Sequence, residues 1–113
     1  ESTLLAYILG GFYIHPLFHI SEAYLKLGDS LSANRLQDQL VDDILSLDNT
    51  PRMKGGILYD RACFAALSGD SARALEIIQE SLALRPDLKR SAREDPDLVS
   101  LSADPRFISL TSD

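Results

Sequence analysis

His15, His19 and Glu22 stand at i, i+4 and i+7. On a helix that spacing would bring two imidazoles and a carboxylate to one face, a donor set suited to zinc or iron. The usual companions of such a site are missing: there is no H-E-x-x-H sequence and no cysteine pair, and Pro16 makes His15 a helix-boundary residue. Ordinary interface histidines are expected, with no metal and no cofactor. Cys63 with His19 and a carboxylate is the other combination with chemical potential, a thiol nucleophile beside a base. Cys63 lies inside the apolar run Ala62-Cys63-Phe64-Ala65-Ala66, however, where a buried thiol is inert. No glycine-rich phosphate loop, Walker sequence or G-x-S-x-G elbow occurs, and Gly10-Gly11 and Gly55-Gly56 are isolated pairs in loop contexts. The chain is not expected to be an enzyme.

Charged residues offer binding rather than catalysis. Arg85, Lys89, Arg90 and Arg93 could hold a phosphate or an acidic peptide, but Glu94, Asp95 and Asp97 follow at once and are expected to neutralise a solvated face. Asp38, Asp42 and Asp43 form an acidic stripe expected to face solvent. The formal net charge of -6 and a pI near 4.7 oppose attraction to phosphate backbones, so nucleic acid is not an expected partner. The single cysteine cannot form an internal disulfide, and a reducing, cytoplasmic setting fits it. Because the chain begins at Glu1 rather than Met, a piece of something larger is expected.

The elements that must position these residues read as helices throughout. Leu58, Ala62 and Ala65, then Leu75, Ile78 and Leu82, place apolar side chains on one face of two successive helices. Between them Gly69 can take a positive φ as a C-terminal cap, and Asp70 can accept from the free N–H groups that open the next helix. Ala62 and Ala74 let the two backbones approach, and Pro86 ends the second helix. Arg61 interrupts the apolar face and must pair with an acid or extend its head to water.

The preceding stretch, residues 16–47, repeats the plan: Leu17, Ile20 and Tyr24 on one helix, Gly28-Asp29 at the turn, then Ala33, Leu36, Leu40, Ile44 and Leu47 on the next. A loop is expected over residues 48–56, DNTPRMKGG, from its Asn, Pro and Gly turn formers. Residues 2–21 contain no Asp, Glu, Lys or Arg, a length near the roughly 20 apolar residues of a membrane span. Gly10-Gly11, Pro16 and two histidines interrupt it. A helix over residues 3–13, a break at Ile14-His15-Pro16 and a second helix to Leu27 are expected instead. Asp95-Pro96 and Asp104-Pro105 each put a capping carboxylate before a proline at the first helical position, which predicts two short helices near the C-terminus.

Leu58, Ala62, Gly69, Ala74, Ile78 and Pro86 fall where the 34-residue tetratricopeptide repeat carries its signature, and the stretch resembles that family. Arg61 and Ser81 stand where the repeat usually has Leu and Ala. Tyr24, Gly28 and Ala33 match the same signature in the earlier hairpin, with Gly28 and Gly69 spaced 41 residues apart, seven more than the repeat length. The phrase DPDL…L…DPRF…L resembles the tail that closes many bacterial arrays of this kind.

The resemblance implies an all-α fold: about two helix-turn-helix repeats with an N-terminal helix and C-terminal capping helices, in one domain spanning residues 1–113. Residues 1–14 would be the N-terminal apolar helix, 15–55 a divergent first repeat, 56–89 the second and 90–113 the cap. It also implies a concave groove lined by Phe18, Glu22, Lys26, Tyr59, Cys63 and Ala66, suited to a peptide or helix. The Lys and Asn positions with which some members of the family clamp a chaperone's terminal carboxylate are here Phe18, Glu22, Tyr59 and Cys63, so that clamp is not expected. The expected function is a non-catalytic protein-interaction or assembly module. Homodimerisation or contact with upstream repeats could run through the N-terminal apolar segment. A membrane-associated subunit, or the regulatory tail of a larger enzyme, is the alternative.

Overall fold

The computed structural model describes residues 15–113, and among them the chain is all-α, with no strand. The helix expected over residues 3–13 lies outside the described residues. Two units follow each other along the chain, residues 1–48 and 49–113.

In the first unit, α1 (His15–Lys26) and α2 (Ser30–Leu47) form a hairpin. In the second, α3 (Pro51–Leu67) and α4 (Ser71–Leu84) form another, followed by a 3₁₀ turn over Pro86–Leu88, α5 (Lys89–Glu94), a 3₁₀ helix over Pro96–Leu101, and α6 (Pro105–Thr111). No helix among the described residues is long and apolar enough to cross a membrane.

The two bends use one chemistry. Gly28 and Gly69 adopt φ of 80° and 91°, a region that costs an L side chain a Cβ clash. In the first bend the Gly28 N–H reaches the Leu25 carbonyl at 3.0 Å and the Asp29 N–H reaches Tyr24 at 2.9 Å. In the second, Gly69 reaches Ala66 at 3.1 Å and Asp70 reaches Ala65 at 2.9 Å, so both helices end in the paired-bond glycine motif. The following aspartate then caps the next helix: Asp29 Oδ1 accepts from the Ser32 N–H at 3.0 Å, and Asp70 Oδ1 from Arg73 at 3.1 Å.

The expected loop over residues 48–56 is mostly helix. Thr50 Oγ1 accepts from the Met53 N–H at 3.3 Å and Pro51 occupies the first helical turn, where a missing N–H is harmless, so α3 starts at Pro51 and carries Gly55 and Gly56 inside it. Gly55 is required there by close approach of α4. A Cβ at that position would collide with Arg85 Cγ and lie 3.2 Å from Leu84 Cβ. Ser81 uses the same proximity, its buried hydroxyl donating to the Gly55 carbonyl at 2.7 Å. The extra length between the two bends is therefore taken up by long helices, 18 residues in α2 and 17 in α3.

The second unit is built around Ala62, Ala65, Ala74, Leu75, Ile78 and Leu82 of the hairpin, over which Ala92, Leu98, Leu101 and Phe107 of the C-terminal segment close. Asp95 and Asp104 cap as the sequence predicts, Oδ1 of each accepting from the N–H two residues on, at 2.9 and 2.8 Å. Arg61 is only 2% exposed, so extension of its head into water is not how it is accommodated. In the first unit the buried set is Ala33, Leu40 and Ile44 with a polar pair, Gln37 donating to Ser21 Oγ at 3.0 Å.

Candidate functional site

The sequence-derived groove residues separate once placed on their helices. Cys63 and Ala66 are buried in the core of the second unit, beneath the C-terminal segment, and offer no accessible side chain. Tyr59 is half-buried, and its hydroxyl donates to Asp95 Oδ2 at 2.8 Å. This face of α3, expected to be open to a partner, is covered by the C-terminal segment. On α1, Glu22 and Lys26 remain accessible, with Glu22 Oε1 3.2 Å from His19 Nδ1. The side chains of Phe18 and His15 lie outside the described residues, so the expected Phe18 anchor and the His15, His19, Glu22 trio are not placed.

Around the Tyr59–Asp95 contact sits a group of titratable side chains. Cys63, Asp95 and Asp97 bring their ligand atoms within 4.8 Å of one another. The arrangement is a cap and a latch. Asp95 Oδ1 is taken by the Asp97 N–H, while Oδ2 receives Tyr59 and, at 3.7 Å, the Cys63 thiol. Burial pushes the Cys63 thiol well up, and the carboxylates of Asp95, Asp60 and Asp97 push it further, so it is held protonated and is a poor nucleophile. The Tyr59 hydroxyl is raised as well, by burial first and by its bond to Asp95 second. Asp60 reaches the surface, yet the dense protein around its carboxyl, with Asp95 nearby, lifts it to about 6.

The basic cluster is spent internally. Arg85 makes a two-pronged pair with Asp87 at 2.9 and 2.8 Å, Lys89 reaches the Ser112 carbonyl at 3.4 Å, Arg90 lies 3.7 Å from Glu94, and Arg93 donates to the Thr111 carbonyl. Of the three acids expected to neutralise it, Glu94 pairs with Arg90. Asp87 supplies another partner, and Asp95 serves as the cap.

An open groove lies in the first unit. Leu17, Ile20 and Tyr24 of α1 and Ser32, Arg35, Leu36 and Gln39 of α2 line this groove of about 430 Å³. The sequence marks Leu17, Ile20 and Tyr24 as one helical face and Leu36 as part of another. It gives no sign that they stay uncovered: Ile20 is 47% and Tyr24 39% exposed, and Leu27 and Leu31 stand in solvent on either side of the Gly28 bend. Tyr24, expected as a packing residue, forms part of the groove wall.

Compared with known proteins, the chain matches no family model, no curated protein and no solved structure.

Proposed function

We propose that this chain is a non-catalytic docking module that holds an apolar segment of another polypeptide in the groove between α1 and α2. The observation that carries this is the exposure of Ile20 and Tyr24 in a groove they share with Leu17 and Leu36. Large apolar side chains gathered on one surface are more often an interaction site than an accident of packing. The two glycine-aspartate bends, built from equivalent hydrogen bonds, support reading the hairpins as tetratricopeptide-like repeats, a scaffold suited to such docking. A protonated, buried Cys63 supports a role without a thiol nucleophile.

The proposed site is the α1–α2 groove rather than the expected set that adds Tyr59, Cys63 and Ala66 of α3 to Phe18, Glu22 and Lys26 of α1. Parallel capture from native lysate, with wild-type, Ile20→Glu/Tyr24→Ala and Tyr59→Phe baits, tests it. A bound polypeptide retained by Tyr59→Phe and lost from the groove variant is expected. Equal capture by all three baits would contradict it.

A further inference from the structure

We infer that the occupant of the α1–α2 groove is an amphipathic helix of about two turns that carries a carboxylate opposite Arg35. This deepens the proposed docking function and depends on it. The apolar wall runs from Leu17 through Ile20 to Tyr24, and the facing wall from Ser32 through Arg35 and Leu36 to Gln39. Each wall covers seven residue steps, about 10 Å of helix at 1.5 Å per residue. A groove of that length between two helices suits an occupant whose apolar residues recur at i, i+3 or i+4, and i+7.

Arg35 sets the chemistry of the match. Among the described residues it makes no hydrogen bond and no ion pair. Its charge is felt by Asp29, whose carboxylate is engaged in capping α2. An occupant that covered the groove would strip water from part of this guanidinium, and its donors then need an acceptor. A carboxylate supplies one, and pairs with arginine in a two-pronged geometry. The acids of α2 bias where it sits, with Asp38 one turn beyond Arg35. Asp42 and Asp43 follow one turn beyond Gln39, which donates to Asp43 at 2.9 Å. A carboxylate at that end of the groove would be repelled, whereas one beside Arg35 would be paired.

The test uses the full chain and a panel of fluorescent helical peptides about four turns long. Each has leucines at i, i+3 and i+7 and, beside them, Glu, Gln or Lys, and is read by anisotropy at low and moderate salt. The Glu peptides are expected to bind about three- to five-fold more tightly than their Gln counterparts, the scale of an exposed ion pair, with the Lys peptides weakest. Arg35→Glu is expected to reverse that order, and moderate salt to narrow it. Equal binding of Glu, Gln and Lys peptides, lost with Ile20→Glu, would overturn the carboxylate assignment and leave groove docking intact. Concentration-dependent self-association abolished by Ile20→Glu would instead assign the groove to a second copy. Failure of every peptide, with no self-association, would remove the docking function itself.

Discussion

Tyr59 donates its hydroxyl to Asp95 Oδ2 at 2.8 Å, joining α3 to the start of the 3₁₀ helix 36 residues later in the chain. The bond fastens the C-terminal segment over the face of α3 that would otherwise be free. It also divides the labour of one carboxylate between a cap and a tertiary contact.

Removing either partner tests that division. Tyr59→Phe is expected to cost about 1 kcal/mol, the net worth of one hydrogen bond. Asp95→Ala is expected to cost about 2 kcal/mol, because the cap is lost too. Urea unfolding of both single variants and the double variant should show the two losses failing to add. Simple additivity would mean that the contact contributes nothing.

At the second bend, Gly69→Val puts a β-branched side chain at φ near 91°. A loss of at least about 1–2 kcal/mol is expected, with Gly69→Asn losing less because Asn tolerates that region. No atom lies within 4 Å of the Cβ position, so conformation rather than crowding sets the cost. Unchanged melting of Gly69→Val would contradict it.

Asp60 gives a pH dependence with a definite sign. Its carboxyl is raised to about 6 in the folded chain from 3.8, so the folded state holds this proton more tightly than the unfolded state does. Asp60 therefore favours folding most fully below 3.8, and that contribution is lost as pH rises to about 6. Asp29, lowered chiefly by its bond from the Ser32 backbone, works in the opposite direction: its contribution is present above 3.8 and is lost as pH falls through its lowered value. Asp60→Asn is expected to raise the melting temperature at neutral pH and to flatten the profile between pH 4 and 6. An unchanged slope across that window would contradict the assignment.

Local chemistry was the legible part of this fold. The Gly28-Asp29 and Gly69-Asp70 bends, and the Asp-Pro starts at Asp95 and Asp104, follow from rules that act within four residues. Residues 48–56 misled because Asn, Pro and two glycines usually mark a loop. The Thr50 cap and Pro51 start a helix there, and what requires Gly55 within it is the close approach of Leu84 and Arg85 at the end of α4, a tertiary cause that local composition does not carry. The same limit applied to the candidate site. Periodicity identified Tyr59 and Cys63 on a helix face, but only long-range closure by Asp95 reveals that the face is covered. Leu17, Ile20 and Tyr24 were visible as an apolar stripe, and their exposure was not.

The most direct measurement is amide chemical-shift mapping of the labelled chain during titration with a leucine-spaced helical peptide. Docking predicts saturable shifts concentrated at Leu17, Ile20, Tyr24, Arg35, Leu36 and Gln39, absent in Ile20→Glu. Shifts centred on α3 and the C-terminal segment, with α1 and α2 silent, would contradict it.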